Sequence, residues 1–145
     1  MKSFTAAAVI AGALLPAACS EPEPGTPVEF SKACVPENEK KVVAVSGYLT
    51  PGTSVFCSKH GGRMECSLTL AETAGARNGF GAHIEQGSGA NTVDKLKSGY
   101  RREDVKIRDS AGNVINLADK VRLTGKMNVT PGLKVCFLQV TRIER

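Results

Sequence analysis

Cys57, His60 and Cys66 lie close together in one short stretch, and two chemistries suit that spacing. As two thiolates beside an imidazole they offer soft and borderline ligands to a transition metal, with His83 as a distant fourth, the donor set of a metal-stress sensor. As a disulfide, Cys57–Cys66 instead closes a loop around Gly61 and Gly62. A cystine of that span contributes a little under ~3 kcal/mol in the chain-entropy model. Besides Cys19 the chain has four cysteines, Cys34, Cys57, Cys66 and Cys136, an even set with three possible pairings. We expect Cys57–Cys66 and Cys34–Cys136, the second adding roughly 4–5 kcal/mol because its loop is long. With the sulfurs so engaged, no metal and no cofactor is expected.

Lys59, His60 and Arg63 fall in the same stretch, and Ser67 and Thr69 follow it with short hydroxyls. Cations and hydroxyls presented on a braced loop suit an anionic, polar partner. The charge distribution points the same way. Residues 20–40 hold five acids and two lysines, whereas residues 41–145 hold sixteen bases and nine acids. Nucleic acid fits less well, because single-strand platforms stack bases on aromatic rings and aromatics make up only 5% of the chain. No G-x-S-x-G, H-E-x-x-H or G-x-x-x-x-G-K occurs, and Asp109, Asn113 and Asn116 lack the order of a calcium loop. The expected role is therefore binding without catalysis.

The elements that must position these residues read mostly as strands. Met64, Cys66, Leu68 and Leu70 alternate with polar residues, a half-buried strand with Glu65, Ser67 and Thr69 outward. Residues 42–49 open the folded part, with Gly47 where a strand can bend. Phe80, Ala82 and Ile84 mark a weaker strand inside the Gly-rich residues 71–90. Val121, Leu123 and Met127 mark another strand, and residues 133–143 a closing one. Val105 and Ile107 belong to a hairpin over 104–119. One short helix is expected over 91–99, with Asn91 as its cap and Gly99 at its stop.

The N-terminal end is a separate region. Met1 and Lys2 precede an apolar run over 4–18, the pattern of a secretory signal. Residues 19–40 are acidic and rich in proline, which reads as an extended tether. Domain bounds of 1–18, 19–40 and 41–145 follow.

Leu15-Pro16-Ala17-Ala18-Cys19 resembles the lipobox of bacterial lipoproteins. That resemblance implies cleavage before Cys19, lipidation of its thiol and a membrane anchor facing the periplasm. Ser20 after the cysteine resembles sorting to the outer membrane. The strand order, with Val121-Arg122-Leu123-Thr124-Gly125-Lys126 and the closing Val140-Thr141-Arg142-Ile143-Glu144, resembles the OB-fold, a five-stranded Greek-key barrel. It implies binding on the face of the second and third barrel strands. The expectation is thus a non-catalytic envelope lipoprotein that binds an envelope protein or anionic polymer through Lys59, His60, Arg63, Ser67 and Thr69. An inhibitor of an exported enzyme such as lysozyme is the alternative, although a basic domain matches a basic lysozyme poorly.

Overall fold

A computed structural model describes residues 22–52 and 55–145. Seven strands form one sheet: β1 (Thr26–Pro27), β2 (Val42–Thr50), β3 (Phe56–His60), β4 (Arg63–Ala71), β5 (Phe80–Glu85), β6 (Val121–Val129) and β7 (Cys136–Glu144). Five of them close into a barrel. β2 pairs with β4 and with β6, β4 with β5, β5 with β7, and β7 with β6. All barrel pairs are antiparallel except β5 with β7, the arrangement of an OB-like barrel.

Period-two alternation fills the barrel. Leu68 and Leu70 of β4, Ala82 and Ile84 of β5, Leu123 and Met127 of β6, and Leu138 and Ile143 of β7 are all buried. Closure depends on β2 changing partner. Its register with β6 runs to Gly47 opposite Val121, and its register with β4 begins at Tyr48 opposite Ala71. A Cβ on Gly47 would stand 2.6 Å from the Ala71 carbonyl oxygen, so the close crossing there requires glycine.

Both expected disulfides form, Cys34–Cys136 and Cys57–Cys66. The second joins neighbours in register across β3 and β4, their Cα atoms 4.0 Å apart. The expected loop around Gly61 and Gly62 is the turn of a β-hairpin. β3 and β4 meet at Gly61 and Gly62, whose φ values of 54° and 86° suit a two-residue type I′ turn.

Two expectations need correction. No helix covers 91–99, and among the described residues no α-helix occurs at all. Asn91 sits in the left-handed region with φ 58°, and Val93 bridges Gln86 and Ile107 instead of entering a helical turn. The Asn91 side chain accepts a hydrogen bond from the Ile143 N–H at 2.7 Å. Tertiary partners therefore use the groups that a helix would need. The tether also ends sooner than its composition suggests. Thr26–Pro27 pairs in parallel with Val43 and Ala44, single 3₁₀ turns cover Phe30–Lys32 and Pro36–Asn38, and Ala33 is fully buried. The signal segment 1–18 and the lipidation candidate Cys19 lie outside the described residues.

Candidate functional site

The outward face of the sheet is built row by row from the strand registers. One row runs Phe56, Ser67, His83, Gln139 and Lys126 across β3, β4, β5, β7 and β6. The next runs Thr69, Gly81, Phe137 and Asn128. Outward residues alternate with the buried Cys66, Leu68, Ala82 and Leu138, so the barrel core fixes which side chains reach this face.

A cleft of about 160 Å³ opens between these rows, with Ser58, Ser67, His83, Phe137 and Asn128 in its walls and His60 at its β3 side. Phe137 and His83 stack, ring centroids 4.4 Å apart and planes 15° from parallel. Gly81 makes room for this pair, since a Cβ there would stand 3.0 Å from the Phe137 Cβ. Glu65 accepts a hydrogen bond from the Gln139 side-chain amide at 3.0 Å.

Burial lowers the His83 pKa below the usual imidazole value. The nearby Glu65 carboxylate works against that shift, and His60 works with it. His83 is therefore neutral at neutral pH, with one ring nitrogen as donor and the other as acceptor. The cleft can grip a small polar group by neutral hydrogen bonds beside a stacked ring pair. Its volume is below the ~300 Å³ of ordinary small-molecule pockets, so it suits one functional group or side chain of a larger partner.

Four of the five expected contact residues share this face. His60 stands opposite Arg63 in the hairpin register, Ser67 lines the cleft, and Thr69 heads the second row. Lys59 does not join them. It pairs in register with Met64 and so shares the side of Cys57 and Cys66, not that of Ser58 and His60. Arg63 is partly committed as well, its Nη1 lying 3.5 Å from the Glu85 carboxylate. The cationic patch read from adjacent positions is thus divided between two faces by strand alternation.

Sequence reasoning missed His83, Phe137, Gln139 and Asn128 as members of the site. It also found no aromatic platform, whereas Phe56 and Phe137 both occupy the outward face, Phe56 with 70% exposure. The alternation of Phe80, Ala82 and Ile84 already points His83 outward. Nothing local places Phe137 beside it, because the β5–β7 pairing joins segments far apart in sequence.

The metal-ligand reading of Cys57, His60 and Cys66 loses its donors. Both sulfurs are joined to each other, and His60 belongs to the opposite side of β3. A larger groove of about 730 Å³ runs between the N-terminal segment and β2–β6. Lys120 and Arg122 line it together with Glu29 and Glu72, so it presents no single charge sign.

Compared with protein-family models, curated proteins and solved structures, the chain matches none.

Proposed function

We propose that this protein is a non-catalytic binding module of the bacterial envelope, held to the membrane by lipid on Cys19 and facing the periplasm. Its partner is an anionic, polar envelope protein or polymer, met on the outward face of β3, β4, β5 and β7. The observation that carries this reading is that His60, Arg63, Ser67 and Thr69 share one face, His60 and Ser67 at the cleft itself, on a domain with an excess of bases. The two disulfides suit an oxidising compartment and hold this face in one shape, which lowers the ordering cost of binding.

Recovery of partners from envelope extract on the immobilised domain tests the reading. The partner should elute as salt rises, because the Debye length shrinks from ~10 Å at 0.1 M to ~3 Å at 1 M. His60→Glu combined with Arg63→Glu should abolish recovery while the melting temperature stays nearly unchanged, since both positions are exposed. A partner that survives high salt and ignores the double substitution would overturn the reading.

A further inference from the structure

β3 is the last strand of the sheet and, among the described residues, pairs only with β4. Its hydrogen-bonding parity follows from the two-residue turn. His60 and Arg63 flank Gly61 and Gly62 as a hydrogen-bonded pair, so Ser58 and Phe56 also bond to β4. The N–H and C=O groups of Val55, Cys57 and Lys59 then point away from β4. The close Cα approach of 4.0 Å between Cys57 and Cys66 is that of a non-hydrogen-bonded pair and agrees with this parity.

These outward groups differ in one respect. At Val55 the Tyr100 hydroxyl accepts from the N–H at 2.7 Å and donates to the C=O at 2.8 Å. At Cys57 and Lys59 no backbone partner is found among the described residues. The edge is therefore capped at one end by a side chain and open beyond it.

Positive charge lies on the open part and beside its capped end. Lys59 is on the open part, exposed. Tyr100, which clamps Val55, lines a hollow of about 440 Å³ together with Lys95, Lys97 and Lys106. Asp94 and Asp104 line the same hollow, and both carboxylates hold partners of their own. Asp94 holds Arg108 in two hydrogen bonds, and Asp104 accepts from the Arg101 N–H. The two sides of β3 also differ, with Lys59 on one and the 70% exposed Phe56 on the other.

We propose that β3 accepts an extended acidic segment of the partner as an added strand, bonded to the backbone of Cys57 and Lys59. This rests on the anionic-partner reading above and adds a second contact to it, because the acids of the added strand meet Lys59 on the side of β3 away from His60 and Arg63. Pleating sets the sequence such a segment needs. Residues on the Lys59 side are acidic, and those on the Phe56 side are apolar, so acid and apolar residues alternate. A second copy of this chain is disfavoured as the occupant, because antiparallel self-pairing would bring two copies of the Lys59 edge together.

The test uses a short synthetic peptide of alternating Glu and Val, titrated against the oxidised domain by fluorescence anisotropy. Binding is expected, with no binding of a Lys–Val counterpart. N-methylation of the peptide on one edge keeps its charge but removes its donors, and should weaken binding roughly tenfold or more. Lys59→Gln should weaken it about two- to five-fold through lost charge alone. Lys59→Pro also removes the outward N–H while sparing the bonds to β4, and should weaken it roughly tenfold or more. Equal binding of the N-methylated peptide to the unaltered domain would overturn strand addition and leave an anionic partner standing. Failure of the acidic peptide to bind would also overturn it. Self-association through β3 that Lys59→Pro abolishes would overturn the choice of occupant. If envelope extract yields no salt-sensitive partner while the peptide still binds the edge as expected, the broader reading alone fails.

Discussion

The outer part of the β3–β4 hairpin pairs in register over five residue pairs, yet Phe56 in it is 70% exposed and Met64 40% exposed, the buried Leu68 and Leu70 of β4 lying beyond it. The insert between β5 and β6 has only isolated bridges, yet its Val93, Val105, Ile107 and Ile115 are buried to 7% or less. Regular backbone pairing and contribution to the core are thus separate properties in this protein. The hairpin closes its ladder locally through a glycine turn and is braced by Cys57–Cys66. The insert adds side-chain bonds to scattered backbone bonds such as Asp94 N–H to Lys106 C=O and Ile115 N–H to Ile107 C=O. Asp109 accepts from the N–H groups of Ala111 and Asn113 at 3.0 and 2.9 Å and from Arg145 at 2.9 Å. Arg108 grips Asp94 at 2.7 and 2.9 Å. A site intended for an exchangeable partner belongs on the first kind of region, where bound contacts do not compete with the core.

The sharpest way to break this contrast is to cut both regions at one apolar residue. Ile107→Ala, at a site only 1% exposed, should cost about 3–4 kcal/mol in urea unfolding. Phe56→Ser should change stability by no more than about 0.5 kcal/mol. Similar losses from both would show that the hairpin carries core energy after all.

A smaller effect is expected from opening the hairpin's brace. Cys57→Ser with Cys66→Ser should cost about 2.7 kcal/mol, as expected for a sequence separation of 9. Hydrogen exchange should accelerate in β3 and the tip of β4, with the insert unchanged. Acceleration in the insert would mean that the two regions are coupled.

The smallest effect separates the regions by acidity. The Arg108 guanidinium, by hydrogen bonding, holds the Asp94 carboxyl below its ordinary pKa. Burial pushes the Asp109 carboxyl up, but the Asn113 and Ala111 N–H groups and Arg145 outweigh it and leave the pKa lowered. A carboxylate with a depressed folded pKa stabilises fully above its unfolded value and loses that contribution as pH falls through the folded value. Below about pH 4 the amides of Ala111 and Asn113 should therefore exchange faster, while β3 amides do not follow. Asp109→Asn should flatten that acid response. Equal acid sensitivity in β3 would remove the distinction.

Much of the barrel was legible because its signal is local. Cys66, Leu68 and Leu70 state their own alternation, and Gly47 marks the bend where β2 changes partner. The failures have a common physical form. Asn91 with Val93 and Leu96 satisfies a helix pattern, but the Glu85 carbonyl and the Ile143 N–H claim the groups involved. Proline and glutamate suggest a free tether, but Val43 and Ala44 offer Thr26–Pro27 a place beside β2. At the site, Ser67 and Thr69 were readable from period two, whereas the His83–Phe137 stack depends on a parallel pairing that no local pattern encodes.

Cys34–Cys136 has a mechanical consequence. It links the docked N-terminal segment directly to the first residue of β7, across a separation of 102 residues. A pull between the N-terminal segment and Arg145 runs through this covalent shortcut, so the intervening chain carries no tension. Of the barrel strands, β7 alone lies on that covalent path, gripped on either side by β5 and β6. The β3 edge belongs to the unloaded part, whereas Phe137 and Gln139 bring the cleft up to the loaded strand.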